Sequence, residues 1–197
     1  MPNNYLAASP IDEMISYFEK YTHIPAEMKT FLIRDSEIKS YSKNKFLVSP
    51  LDQSPNVYFL IKGAVRGFIR DEGEEVTTWL SLENHLVGLT LFPTPQHVEK
   101  KQYIQSLEDT EVVIIPHSLI KILYSLFHEM EILGRKLLWQ HYQESDERNF
   151  IIRLSTAKKR IERLKKTCPE VFNRIQLKHI ASYLGMRLET LSRLKSD

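Results

Sequence analysis

The chain has 197 residues, 42% hydrophobic and 26% charged, with a formal net charge of +2. That is room for one large or two small domains. No apolar run approaches the roughly 20 residues needed to span a bilayer, and the N-terminus lacks the charged-then-apolar order of a leader. The single cysteine, Cys168, excludes an internal disulfide and a four-cysteine metal or cluster site within one chain. It suits a reducing compartment, so a cytoplasmic protein is expected.

Residues 10–34 read as short helices. Ser9-Pro10 offers an N-cap followed by proline at the first helical position, and Ile11, Met14, Ile15 and Phe18 form a stripe. Ile24-Pro25 interrupts it, and Met28, Phe31 and Leu32 continue the apolar face. From about Glu37 to Pro116 the period changes. Val57–Ile61, Ala64–Ile69 and Val76–Leu80 are β-branched or aromatic runs separated by Lys62-Gly63 and by Asp71-Glu72-Gly73-Glu74. Further strands are predicted at Phe46–Ser49, Leu86-Val87, Tyr103–Ser106 and Val112–Ile115. Many short strands with no helix between them indicate an antiparallel barrel or roll.

After Pro116 a helical period returns. Leu119, Ile122, Leu123, Leu126, Met130, Leu133 and Leu137 recur at three- and four-residue steps, apart from the adjacent Ile122-Leu123. The stripe is longer than a small roll would cover, so Leu126, Met130, Leu133 and Leu137 are expected to form a parallel homodimer seam. The pattern thins over 140–148, resumes at Phe150, Ile151 and Leu154, and restarts after the N-cap signal Ser155-Thr156. A hinge is expected near Leu154–Thr156. The helix beyond it carries Lys158, Lys159, Arg160, Arg163, Lys165 and Lys166, and stops before Pro169.

The charge is unevenly divided. Residues 155–197 hold 11 Lys/Arg against 4 Asp/Glu, and the remainder holds 16 against 21. A basic C-terminal module on an acidic body is the electrostatic layout of a nucleic-acid binder. Within that module two short amphipathic patterns meet at Gly185. The first has Ile180, Ala181 and Leu184 on one face, and the second has Leu188, Leu191 and Leu194. Gly185 suits a turn needing positive φ, and Ala181 a close helix crossing. This is helix-turn-helix spacing, in which the second helix enters the major groove.

The polar face of that second helix carries Arg187, Glu189, Ser192 and Arg193, with Lys195 following. Arginine reads guanine and glutamate can accept from the cytosine amino group, so these are candidate DNA-binding residues. Arg187 could reach a base or a phosphate. Lys178 and His179, at the start of the first helix, are placed for backbone phosphates.

The succession of a β-roll with Gly63 in a strand-turn-strand, a long helix and a C-terminal helix-turn-helix resembles the Crp/Fnr family of bacterial transcription regulators. Ile180–Met186 and Glu189–Arg193 carry the resemblance most closely. They look like a branch common in Bacteroidetes-type bacteria, whose chains end soon after the recognition helix. The resemblance implies an α+β fold: an antiparallel double-stranded β-helix (a jelly-roll-like β-roll) with N-terminal helices over residues 1–116, a long dimerisation helix over 117–154, and a helix-turn-helix over 155–197. It implies a homodimer on a palindromic double-stranded operator, and allows RNA polymerase and a small-molecule effector as further partners.

Relatives that bind cyclic AMP place a Gly-Glu pair at the start of a short helix, where Glu grips the ribose, and later an Arg-Ser or Arg-Thr whose Arg neutralises the phosphate. Here Gly88 is followed by Leu89, and Lys100-Lys101 stands at the second position. A lysine meets an anion without the bidentate fork. Gly88, Leu89, Lys100 and Lys101 therefore mark a degenerate pocket that is expected not to bind cyclic AMP. Two other classes stand beside this reading. One is a sensor of a cyclic nucleotide or other small anion whose C-terminal unit contacts a protein. The other is an enzyme on a barrel, for which no Ser/His/Asp order, metal-spaced set or phosphate loop speaks. No catalysis, cofactor, metal or membrane partner is expected.

Overall fold

Two helices open the described chain, and a side-chain cap starts the first of them. The computed structural model describes residues 8–51, 56–88 and 102–196. Ser9 caps α1 (Pro10–Glu19) in a capping box: its side chain accepts from the Asp12 backbone, and Asp12 reaches back to the Ser9 N–H. Ile11, Met14, Ile15 and Phe18 are the buried stripe of α1, and Met28 and Leu32 that of α2 (Ala26–Asp35).

Eight strands follow among the described residues: β1 (Glu37–Tyr41), β2 (Phe46–Val48), β3 (Asn56–Lys62), β4 (Val65–Asp71), β5 (Glu74–Ser81), β6 (Leu86–Gly88), β7 (Gln102–Ser106) and β8 (Thr110–Pro116). They form two antiparallel sheets ordered β1-β8-β3-β6 and β2-β7-β4-β5. Tyr58 and Leu60 of β3 point between the sheets with Val65, Val87, Ile104, Val112 and Ile114. Val57 and Phe59 point the other way, into a layer formed by α1, α2 and the helices that follow β8. With both faces buried, β3 reads as an unbroken apolar run. Gly63 closes the β3–β4 turn at φ +106, and a Cβ there would lie 2.4 Å from Thr110 Oγ1; both backbone and space demand glycine.

After β8 the helical run is broken where one long helix is expected. α3 (His117–Leu126) ends and α4 (His128–Arg153) begins at Phe127, whose backbone is extended at φ −127 and ψ 119. The Phe127 ring turns inward, edge-on to Phe31 at 6.0 Å. No proline or glycine marks this break; burial of the ring accompanies it.

The expected seam is corrected too. Met130 is 7% exposed and Leu133 1%, both inside the chain's own core against α1 and α2, and Leu137 packs partly against the same cluster. Leu126 is exposed, but it ends α3. The three-four spacing thus describes the face of α4 that covers the roll. The open apolar face lies on the opposite side, at Leu138, Trp139 and Tyr142, where the last two rings stack at 5.7 Å.

The chain closes with α5 (Ala157–Thr167), the single turn α6 (Val171–Arg174), α7 (Leu177–Tyr183) and α8 (Leu188–Ser196). Thr156 caps α5 by accepting from the Lys159 N–H. No described helix is long and apolar enough to cross a membrane.

Candidate nucleic-acid interface

The helix-turn-helix is built by local rules. Leu184 closes α7, and Gly185 follows at φ +61. The Met186 N–H reaches the Ala181 carbonyl (3.0 Å) and the Gly185 N–H that of Ser182 (3.1 Å). That pair is a Schellman motif, which ends a helix and turns the chain at a left-handed residue. Ile180, Ala181, Leu184 and Leu191 are buried between α7, α8 and α5, with Leu194 partly buried beside them. Leu188 departs from expectation: it is 43% exposed, one turn ahead of the anchor that Leu191 and Leu194 provide.

Arg187, Glu189, Ser192 and Arg193 are all exposed on or just before α8. Lys178 is exposed at the start of α7, whereas the side chain of Lys195 lies outside the described residues. His179 overturns its expected role. It is 7% exposed, and burial, with the nearby charges of Arg66 and Lys178, lowers its pKa to about 4. In this arrangement it faces the roll, and no phosphate can reach it.

The reason is a docking that sequence patterns do not disclose. β5 is an edge strand, and edge strands carry unpaired backbone groups. Ser182 of α7 satisfies two of them: its Oγ accepts from the Thr77 N–H (2.9 Å) and donates to the Glu75 carbonyl (3.2 Å). Beside it the buried Arg66 donates to Gln105 (2.7 and 2.9 Å) and pairs with Glu75. At the other end Arg174 of α6 grips Glu83 with two bonds (2.6 and 2.8 Å) and also pairs with Glu108. Glu83 in turn accepts from the Gly63 N–H (2.9 Å). These bonds, Arg174 foremost, pull the Glu83 carboxyl down to about 2. Ala64, Leu80, Leu82 and Leu107 of the roll join the apolar core of the C-terminal helices.

The effector end is described only in part. Gly88 is the last described residue of β6 at φ +130, and its missing Cβ would stand 2.6 Å from the Asn56 carbonyl. Leu89, Lys100 and Lys101 lie outside the described residues. Where α4 meets the β5–β6 turn, His85 Nε2 contacts Glu144 at 3.0 Å, and Gln140 links Glu144 to Tyr21. Neither this cluster nor the Arg174 clamp was foreseen, because their members lie far apart in the chain.

A two-sheet roll covered by helices, joined through a long helix to a helix-turn-helix, defines a class of fold: a cyclic-nucleotide-binding-like domain coupled to a helix-turn-helix motif. The chain is similar to Crp/Fnr-type regulators in sequence and in fold. It is 27% identical over 164 residues to the transcriptional activator protein Anr of Pseudomonas protegens, which covers 77% of this chain and 66% of that protein. The chain thus spans just under two thirds of that relative's length. FixK2 from Bradyrhizobium japonicum superposes with a TM-score of 0.67 at 20% identity, over 82% of this chain and 83% of that one. A structure assigned to the Crp/Fnr family from Eubacterium rectale gives 0.71 at 18%, over 91% and 85%. No protein-family model matches the chain.

Proposed function

We propose that the chain is a homodimeric, sequence-specific DNA-binding transcription regulator of the Crp/Fnr type. The observation that carries this is the exposure of the polar side of α8 while α7 is docked on the roll. Arg187, Glu189, Ser192 and Arg193 remain accessible, so the docking supports the motif from behind and leaves its reading side open. Glu189 and Arg193 stand one turn apart, a spacing suited to adjacent base pairs in one half-site. The exposed Leu188 offers an apolar contact for a thymine methyl. Lys178 binds backbone phosphate, and the buried His179 does not. The dimer forms through Leu138, Trp139 and Tyr142 of α4, whose two-fold axis calls for a palindromic operator.

Binding series on selected and scrambled duplexes at several salt concentrations test this reading, because phosphate contacts release counterions and base contacts do not. Arg193→Ala is expected to cost about 1–3 kcal/mol on the selected site and to relax preference at one base pair. Lys178→Ala is expected to weaken both duplexes alike and flatten the salt slope. Equal losses on both duplexes for Arg193→Ala would make it a phosphate clamp. Salt-independent or absent binding by the native chain would remove the DNA reading altogether.

The roll is proposed to hold no cyclic AMP. Leu89 stands where a ribose-binding Glu is required and Lys100-Lys101 where an Arg-Ser is required. Titration calorimetry with cyclic AMP is expected to show no saturable heat through the micromolar range; a clear isotherm there would overturn the pocket assignment.

A further inference from the structure

One guanidinium joins the ends of two helices. Arg160 lies one turn into α5, the helix that follows the hinge, and its side chain is partly buried. Its Nε donates to the Leu154 carbonyl at 3.0 Å, and Leu154 is the cap residue just beyond α4. Its Nη1 donates to the Leu184 carbonyl at 3.0 Å and to that of Gly185 at 3.3 Å. A helix leaves its last carbonyls without intrahelical partners. The Schellman turn of α7 uses those of Ala181 and Ser182, which leaves Leu184 and Gly185 to Arg160. The negative poles of α4 and α7 therefore meet on one cation, a favourable placement for both.

We infer that Arg160 is a positioning residue that sets the angle between α4 and the α7–α8 unit, and through it the half-site spacing the dimer accepts. The inference rests on the DNA-binding reading above. The guanidinium is planar and its donors are fixed in a fork, so carbonyls bound to it on two sides keep a set relation. A lysine at this position offers a point charge without that geometry. In a dimer, α4 lies on the two-fold axis, while α8 must enter successive major grooves about 34 Å apart. Arg160 thus bonds the α4 cap directly to the turn before α8. Arg163, one turn on, ties α5 to Glu147 of α4 at 2.7 Å, so the fold of α5 against α4 does not depend on Arg160.

The test compares the full-length native chain with Arg160→Gln and Arg160→Lys on the selected duplex, on a single half-site, and on duplexes with one or two base pairs inserted between half-sites. Circular dichroism and sedimentation first establish that each variant is folded and dimeric. Inserting one base pair is expected to penalise the native chain, and that penalty is expected to shrink about tenfold in both variants. Half-site affinity is expected to hold within about twofold, since α8 itself is untouched. An unchanged spacing penalty overturns the inference, as does an equal loss on every duplex. A second readout needs no DNA: spin labels at Gln143 and Glu189 in a Cys168→Ser background, diluted with unlabelled chain. The native distance distribution is expected to be narrow and that of Arg160→Gln broad. Identical distributions overturn the positioning role, whereas a native chain that binds no duplex removes only the DNA reading beneath it.

Discussion

Leu133→Asp is expected to abolish the folded chain, while Trp139→Asp is expected to leave it folded and split the proposed dimer. Both residues lie on α4, and sequence spacing favours the first as the dimer contact. Leu133 is 1% exposed and Trp139 60%. The Leu133 side chain sits among Phe18, Met28, Leu32, Leu123 and Met130 beside a cavity of about 30 Å³ lined entirely by apolar groups and Gly134. Removing a buried leucine side chain costs about 2–5 kcal/mol, and leaving an unpaired carboxylate in its place adds several more. The sum approaches the roughly 5–15 kcal/mol that holds a domain together. Trp139, by contrast, loses only its stacking on Tyr142 within the protomer, and surface changes of that kind stay within about 0.5 kcal/mol or modestly above. Urea titration and sedimentation velocity at micromolar concentration separate the two variants. A Leu133→Asp chain that stays folded and becomes monomeric would restore the seam that the spacing suggests.

The misassignment of that seam shows what a pattern of apolar residues can tell. Leu119 and Leu123 of α3 and Met130 and Leu133 of α4 are buried in one core, although the sequence reads as one continuous helical stripe. It does not identify the partner, because the same spacing packs against a roll or against a second helix. The roll was legible for the opposite reason: β3 is buried on both sides, so its run of Val57–Ile61 could hardly be anything but a strand. β1 was not, since four of its five residues are exposed and only its pairing with β8 makes it a strand. The break at Phe127 has no local signal.

The helix-turn-helix was the most legible part, because its turn is local chemistry: Gly185 at positive φ, small Ala181 at the crossing, leucines at three-residue steps. Its docking was illegible for a matching reason. Ser182 on β5, and Arg174 on Glu83 and Glu108, join residues 66 to 107 positions apart, beyond the reach of any periodicity. His179 followed from that error. At the start of α7 a histidine reads as a phosphate ligand until β5 is placed against it.

That burial sets an expected pH profile with a maximum near pH 6.5. His179 titrates near 4 in the folded chain and near 6.5 when unfolded. Its depressed value means the folded state resists a proton that the unfolded state accepts, so stability is full above about pH 6.5 and falls below it. By pH 5 the loss is about 2 kcal/mol. Arg66 and Lys178 drive the proton off, with Glu75 opposing them. His85 acts in the other direction. Its hydrogen bond to Glu144 raises its value, so that pair contributes fully below about pH 6.5 and fades as pH rises through the folded value. Glu83, held near 2, loses its contribution only below the ordinary carboxylate range, outside the window. Urea midpoints between pH 5 and 8, at one protein concentration because the proposed dimerisation would be linked to stability, are expected to trace both limbs. His179→Gln should shrink the acid limb and leave the alkaline one; His85→Gln should do the reverse. An acid limb that His179→Gln leaves intact would mean that His179 is solvated in solution and α7 is not held on β5.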